Sequence, residues 1–188
     1  LSSLEVKRHV IRTQKDYQRY AAAADGISPR GIPGYGEGLV VVDSDEHDAE
    51  GHITEDLLEV RTKMVEKRLK KLNGFKVEEI KPEIIGPDNF KTLIISWGST
   101  YHLIKEALEK IGRQDIAFAY FRQVYPLPAN TTQLLRQATK RIIIENNSTA
   151  QFGGLLKQHT GIECDKILKY NGLAFSVEEL EQAIKELL

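Results

Sequence analysis

Cysteine is almost missing from this chain of 188 residues: Cys164 stands alone. A disulfide within the chain is thereby excluded, and so is an iron-sulfur cluster held by its own thiolates. Charge of one sign is lacking too. Lys and Arg number 26 against 27 Asp and Glu, a formal net charge of -1, whereas a nucleic-acid binder needs a basic excess. No apolar run approaches the length of a membrane span, and no signal-peptide core opens the chain. The expectation is a cytoplasmic protein with neither nucleic acid nor membrane as partner. Without a secretory signal, the sequons at Asn130, Asn146 and Asn147 read as chance matches. The first residue is Leu, not Met, which reads as a piece of a longer protein.

The commonest signatures of nucleotide and acyl chemistry are absent as well. Gly34, Gly36 and Gly38 alternate, but Val41 stands where a dinucleotide fingerprint needs its third glycine, and no helix pattern follows. There is no phosphate-binding G-x-x-x-x-G-K. The run from Gly26 to Arg30 lacks the second glycine of a nucleophile elbow.

What is present falls into two regions of different character. Residues 1 to about 55 have weak periodicity and most of the turn chemistry. Leu1 to Tyr20 carries no assignable pattern. The Gly- and Pro-rich run from Asp25 to Gly34 cannot hold a long helix and disfavours a central strand. Leu39 to Val42 has the composition of a short strand, and an acidic stretch from Asp43 to His52 follows it. A connecting helix is expected over about 56–74, with Thr54 as N-cap and Asn73-Gly74 as its stop. Its apolar residues cover about half the circumference, yet Arg61 and Arg68 fall in the middle of that arc. Unpaired charge there would be costly, so either carboxylate partners are expected, from the acidic loop or across a subunit interface, or the long stems carry their charges out to solvent.

Over 88–188 strand-like and helix-like patterns alternate with short connections. Strands are expected at Thr92–Ser96, Ile116–Arg122, Arg141–Glu145 and Ile167–Tyr170. Helices are expected from Gly98–Thr100 to near Gly112, at about Thr131–Lys140, from Asn146–Thr149 to a break at Gly161, and from a Ser176 cap to the end. That alternation predicts an open, mainly parallel α/β sheet with helices on both faces, Rossmann-like in outline, preceded by an irregular linker and one helix.

Few residues invite chemistry. Gly98, Ser99 and Thr100 stand where a first strand would hand over to a helix, a place suited to an anion or, more simply, to a cap. Asn146 and Asn147 hold the equivalent position after the third strand, at the edge where such sheets take ligands. The acidic loop contains Asp43, Asp45, Glu46, His47, Asp48, Glu50 and His52, but the spacing of His47 and His52 matches no strong zinc pattern, so pairing with basic groups is expected rather than metal. His102 and His159 read as surface or packing residues, Trp97 as core, and Cys164 as a partly buried, unactivated thiol.

Several runs nevertheless carry a resemblance. The segment Asp25 to Gly34 resembles the linker in alpha subunits of 2-oxoacid:ferredoxin oxidoreductases. Ser44 to Asp48, Gly51 to Asp56 and Val60 to Leu69 are similar to the segments that follow it there, and Trp97 to Tyr101 and Glu145 to Thr149 to its C-terminal, transketolase C-terminal-like domain. A glycine would be expected at Ala150. The resemblance implies oxidative decarboxylation of a 2-oxoacid to acyl-CoA with reduction of ferredoxin, closest to the 2-oxoglutarate rather than the pyruvate type. It implies a hetero-oligomer in which thiamine diphosphate, Mg²⁺, an iron-sulfur cluster and coenzyme A serve the whole enzyme. By the same resemblance, a pyrimidine-binding domain precedes Leu1, a beta subunit holds the diphosphate and Mg²⁺, and this chain binds no cofactor and contributes no catalytic residue alone. Asp25, Ser28, Arg30, Asp45, His47, Arg61 and Arg68 become candidates for a subunit interface or an active-site-proximal linker. Two rivals share the fold: a stand-alone α/β interaction module, and a small nucleotide- or coenzyme-A-binding protein. A stand-alone module has no need of the segment from Asp25 to Asp56.

Overall fold

In the computed structural model, residues 9–56, 58–75 and 80–188 are described. The chain divides into two compact units, Leu1–Glu78 and Glu79–Leu188.

The second unit is built on five strands: β3 (Glu83–Ile85), β4 (Thr92–Trp97), β5 (Ile116–Phe121), β6 (Lys140–Glu145) and β7 (Asp165–Leu168). Their order across the sheet is β3-β5-β4-β6-β7, all parallel except β3, which runs antiparallel to β5 at one edge. Helices α2 (Tyr101–Ile111), α3 (Thr131–Gln137), α4 (Gln151–Thr160) and α5 (Val177–Leu187) connect or follow the strands. Alternation along each strand sends side chains to two separate cores. Leu93, Ile95, Ala119, Phe121 and Ile143 pack with Leu135, Phe152 and Leu156 of α3 and α4. Ile94, Phe118, Ile142 and Ile144 pack with Ile104 of α2 and with Leu180 and Ile184 of α5. Helices thus cover both faces. Each fully buried Leu, Ile or Phe contributes about 1.5–3 kcal/mol of transfer free energy.

α3 stops at Gln137, short of the expected Lys140, because β6 already begins at Lys140; other ends follow the expected signals. Gly112 and Gly161 close α2 and α4 in left-handed geometry. Ser176 opens α5 with a full capping box: its hydroxyl accepts from Glu179 N–H while Glu179 accepts from Ser176 N–H. The edge strand β3 has no counterpart in the sequence expectation. Three residues between Pro82 and Gly86 are too short for a period-2 pattern.

The first unit has little regular structure. β1 (Val10–Thr13) and β2 (Arg30–Gly36) form a two-stranded parallel sheet, and helix α1 spans Val60–Phe75. Pro33 sits in β2 because a two-stranded sheet has only edges. The expected strand at Leu39–Val42 is irregular backbone instead: Leu39 and Val42 are 83% and 64% exposed, and among the described residues no strand pairs with them. The helix begins later than Thr54 suggested. Asp56 takes the N–H groups of Leu58 and Glu59 onto its carboxylate, which holds a turn ahead of Val60. The Thr54 hydroxyl accepts Asp56 N–H. At the other end Asn73 and Gly74 lie within the helix. Its apolar stripe is largely exposed, Met64 alone among its described side chains being buried.

Gly26 fixes the linker to this helix. Its φ is +78°, and a Cβ there would collide with the carbonyl oxygen of Lys67 and approach Lys70 and Lys71. Asp25 folds the same turn by accepting Ile27 N–H at 2.9 Å, and buried Ser28 donates to the carbonyl of Ala21 at 2.8 Å.

Candidate functional site

In the second unit the connection after β4 leads to α2 and that after β6 to α4, on opposite faces of adjacent strands. The crevice between their carboxyl ends is where an open α/β sheet receives ligands. Here the chain's own Glu145, 2% exposed, fills it. Its carboxylate accepts the N–H groups of Phe152 at 3.1 Å and Gly153 at 2.9 Å, so an internal anion sits at the N-terminus of α4. Asn147 donates to the same carboxylate at 2.7 Å, and Trp97 Nε1 reaches it from β4 at 3.3 Å. Trp97, expected in the core, is 39% exposed. Asn147 also accepts N–H bonds from Thr149 and Gln151, while Asn146 is exposed. Ala150 adopts the left-handed conformation at φ 52°, which explains the expectation of glycine there.

Thr100 is buried and does not cap α2. Its hydroxyl lies 2.5 Å from that of Ser96, which donates in turn to the carbonyl of Ile144. Gly98 and Ser99 are exposed and line a cavity of 340 Å³ with Tyr101, His102, Tyr120 and Arg122. One wall of it is organised by Glu83, which accepts from Tyr101 Oη at 2.8 Å and from Arg122 at 2.6 Å. The Tyr101 hydroxyl, and then Arg122, hold the Glu83 carboxyl below its ordinary range, and the same bond raises the Tyr101 phenol. Tyr120 donates to the carbonyl of Gly98. Tyr101, Tyr120, Arg122 and Glu83 were not among the sequence candidates. Their link, from the missed strand β3 to β5, has no local signal.

In the first unit the acidic loop and α1 meet through Glu46. Its carboxylate takes Arg61 Nη1 at 3.2 Å and Arg68 Nη2 by a short contact. The loop thus supplies the partner expected for both arginines, although both guanidinium groups remain more than half exposed. His47 stacks on Tyr20 with ring centroids 3.7 Å apart, and its Nδ1 meets the carbonyl of Asp48. Asp48 itself ties Gly51 and His52 N–H groups, bonds that hold its carboxyl low. Asp45 is exposed. No group of three His, Cys, Asp or Glu among the described residues is placed to hold a metal ion.

Ser28 and Arg30 line a cleft of this unit, 610 Å³ in volume, with His9, Arg19, Tyr20, Lys67 and Lys71 among its other walls. Arg19, Lys67 and Lys71 escaped sequence reading. The signal for two of them was there, as lysines four apart on one helix face.

Burial pushes the Cys164 thiol up to about 11, as suits an unreactive, partly buried cysteine. No helix of the described residues is long and apolar enough to cross a membrane.

Comparison with known proteins bears on what these units are. No family model matches the chain. It is 37% identical over 191 aligned residues to the alpha subunit of 2-oxoacid:ferredoxin oxidoreductase 1 of Sulfurisphaera tokodaii, covering 98% of this chain and 30% of that protein. The alpha subunit of 2-oxoacid:ferredoxin oxidoreductase 2 of Aeropyrum pernix is 34% identical, over 92% of this chain and 28% of its own length. The chain belongs to this family of alpha subunits. It spans about 30% of the length of these relatives. A third relative, the 2-oxoglutarate oxidoreductase subunit KorA of Mycobacterium tuberculosis, is 30% identical over 66% of the chain and 19% of its own length. The fold recurs in a solved structure of 2-oxoglutarate:ferredoxin oxidoreductase from Magnetococcus marinus, with a TM-score of 0.81 over 98% of this chain and 33% of that one, at 24% identity.

Membership in an oxidoreductase family raises the question of its redox and thiamine cofactors. The donor set does not fit them. One cysteine cannot ligate an iron-sulfur cluster, and the described residues offer no oxygen cluster for Mg²⁺.

Proposed function

We propose that this chain is the C-terminal part of the alpha subunit of a thiamine-diphosphate-dependent 2-oxoacid:ferredoxin oxidoreductase, acting in assembly of the enzyme and not as its catalyst. Similarity that runs through both units, linker included, carries this reading: 37% identity over 98% of the chain. The way the chain uses its own groups supports it. At the sheet's ligand edge a carboxylate of the chain already occupies the helix N-terminus, and in the first unit the acidic loop is committed to Arg61 and Arg68. The thiamine diphosphate, Mg²⁺ and iron-sulfur chemistry then resides in other domains and in a beta subunit, with coenzyme A and ferredoxin as the enzyme's co-substrates. Among 2-oxoacids we favour 2-oxoglutarate, the substrate class named for the Mycobacterium tuberculosis relative.

The test uses the assembled enzyme. A tag on this chain should co-purify a thiamine-diphosphate-binding subunit, and the complex should reduce a viologen dye when given 2-oxoglutarate and coenzyme A, faster than with pyruvate. The separate 188-residue chain should give no turnover and no micromolar thiamine diphosphate binding by calorimetry. A complex inactive on every 2-oxoacid would refute the family function. Activity in the separate chain would refute the assembly role.

A further inference from the structure

The cleft of the first unit holds an imbalance that nothing in the proposed assembly role uses. Arg19, Arg30, Lys67 and Lys71 line it together with His9. None of the four cations has a carboxylate partner among the described residues, whereas Arg61, Lys63 and Arg68 on the same helix or its flank are all paired. Arg19 and Lys67 are half-buried, both lying over the Tyr20 ring, at 5.0 and 5.5 Å from its centroid. The remaining wall is apolar, from Val10, Ile27 and Ile32, and Ile27 and Ile32 are 41% and 44% exposed.

From this arrangement we infer that the cleft is a binding site for a small organic phosphate: a phosphate or pyrophosphate head held by Arg30, Lys67, Lys71 and Arg19, with its organic body against Tyr20 and the isoleucines. A single carboxylate would leave most of the positive charge unbalanced. A phosphate head brings about two charges and three acceptor oxygens, and guanidinium forks and ammonium groups are suited to it. The volume of 610 Å³ lies within the range of about 300–1,000 Å³ usual for small-molecule sites. The cations also disturb each other. Burial, then Lys71, Arg19 and Arg68, lower the Lys67 ammonium to about 8, a cost that a bound anion removes. The site's construction explains two features of the linker. Gly26 brings the Asp25–Arg30 run onto the backbone of Lys67 and Lys71, and β2 pairs with β1, which sets Arg30 beside His9 and Val10.

Pyrophosphate and phenyl phosphate, titrated into the 188-residue chain at low ionic strength, test this. Both should bind with submillimolar affinity, phenyl phosphate showing contacts to Tyr20 by NMR. Lys67→Gln and Arg30→Gln should each weaken binding about tenfold, the loss of one charge-assisted contact, with Met64 methyl and Trp97 fluorescence signals unchanged. In the unmodified chain, pyrophosphate should raise the titration midpoint of the Lys67 side chain by at least about one unit, a measurement that needs no variant. Equal affinity in all variants, no shift at Lys67, or tighter binding of a poly-glutamate peptide than of either phosphate would overturn the inference. Because the readouts are on this chain alone, they stand or fall separately from the oxidoreductase reading.

Discussion

Met64 is the one buried apolar side chain among the described residues of the first unit, while every other buried apolar residue belongs to the second. The second unit earns its shape from two cores on either side of a sheet. The first gets its shape from backbone approaches, Asx-type turns and one shared carboxylate, and turns Leu39, Val42, Ile53 and Leu58 outward. The same chain therefore contains two kinds of specificity. Side-chain burial tolerates changes at the surface and punishes them inside. A loop structure punishes changes at glycines and hydrogen-bonded turns and ignores its apolar residues. The protein's single Met and single Trp fall one in each unit, so the Met64 methyl resonance and Trp97 fluorescence read the two separately.

The largest effect should come from truncating a core side chain. Phe118→Ala in the second unit, at 0% exposure, is expected to cost about 4 kcal/mol in denaturant unfolding followed by Trp97. Leu69→Ala on the 56% exposed stripe of α1 should change the Met64 transition by less than about 0.5 kcal/mol. Comparable losses at both positions would erase the contrast, because α1 would then be supported by its apolar face.

Next in size is Gly26→Ala. The added methyl meets the Lys67 carbonyl in a left-handed backbone, and strain plus displacement should cost about 2–3 kcal/mol, seen at Met64 and absent at Trp97. A neutral outcome would mean that the linker is not held against the helix by this approach. Removing the shared carboxylate should matter less. Glu46→Gln separates Arg61 and Arg68 from their partner, but with both guanidinium groups more than half exposed the expected loss is below about 1 kcal/mol, and it should shrink further in high salt.

The same contrast explains what was legible in the sequence. Caps and periodicity are local, so Ser176, Gly112, Gly161 and four of the five strands of the second sheet could be read within a residue or two. β3 could not, since only its partner β5 makes three residues a strand. In the first unit the pattern misled. Leu39–Val42 looked like a strand because composition was the only guide, and among the described residues no strand pairs with it. Arg61 and Arg68 were found because a charge inside an apolar arc is an anomaly on its own helix. Arg19 was missed because it stands in a stretch without pattern, and Lys67 because two lysines four apart on a polar helix face are no anomaly until Gly26 folds the linker over Lys67.

A modest effect of pH is the most specific to the first unit. Lys67 has its ammonium lowered from 10.5 to about 8, by burial first and then by its cationic neighbours. Below pH 8 the folded and unfolded chains both carry the proton, and the crowding of charge is borne in full. Between pH 8 and 10.5 the folded chain releases a proton that the unfolded chain keeps. The unfolded state then binds more protons, so stability rises with pH across that window. Because Lys67 is only half-buried and solvent screens its neighbours, the gain should be no more than about 1 kcal/mol. Denaturation followed at Met64 from pH 7 to 10.5 should show this rise, and Lys67→Gln should flatten it by removing the titrating group. If the unmodified chain loses stability across the window, or Lys67→Gln leaves the slope as it was, burial and the charges of Lys71, Arg19 and Arg68 do not press on the Lys67 ammonium as the cleft requires.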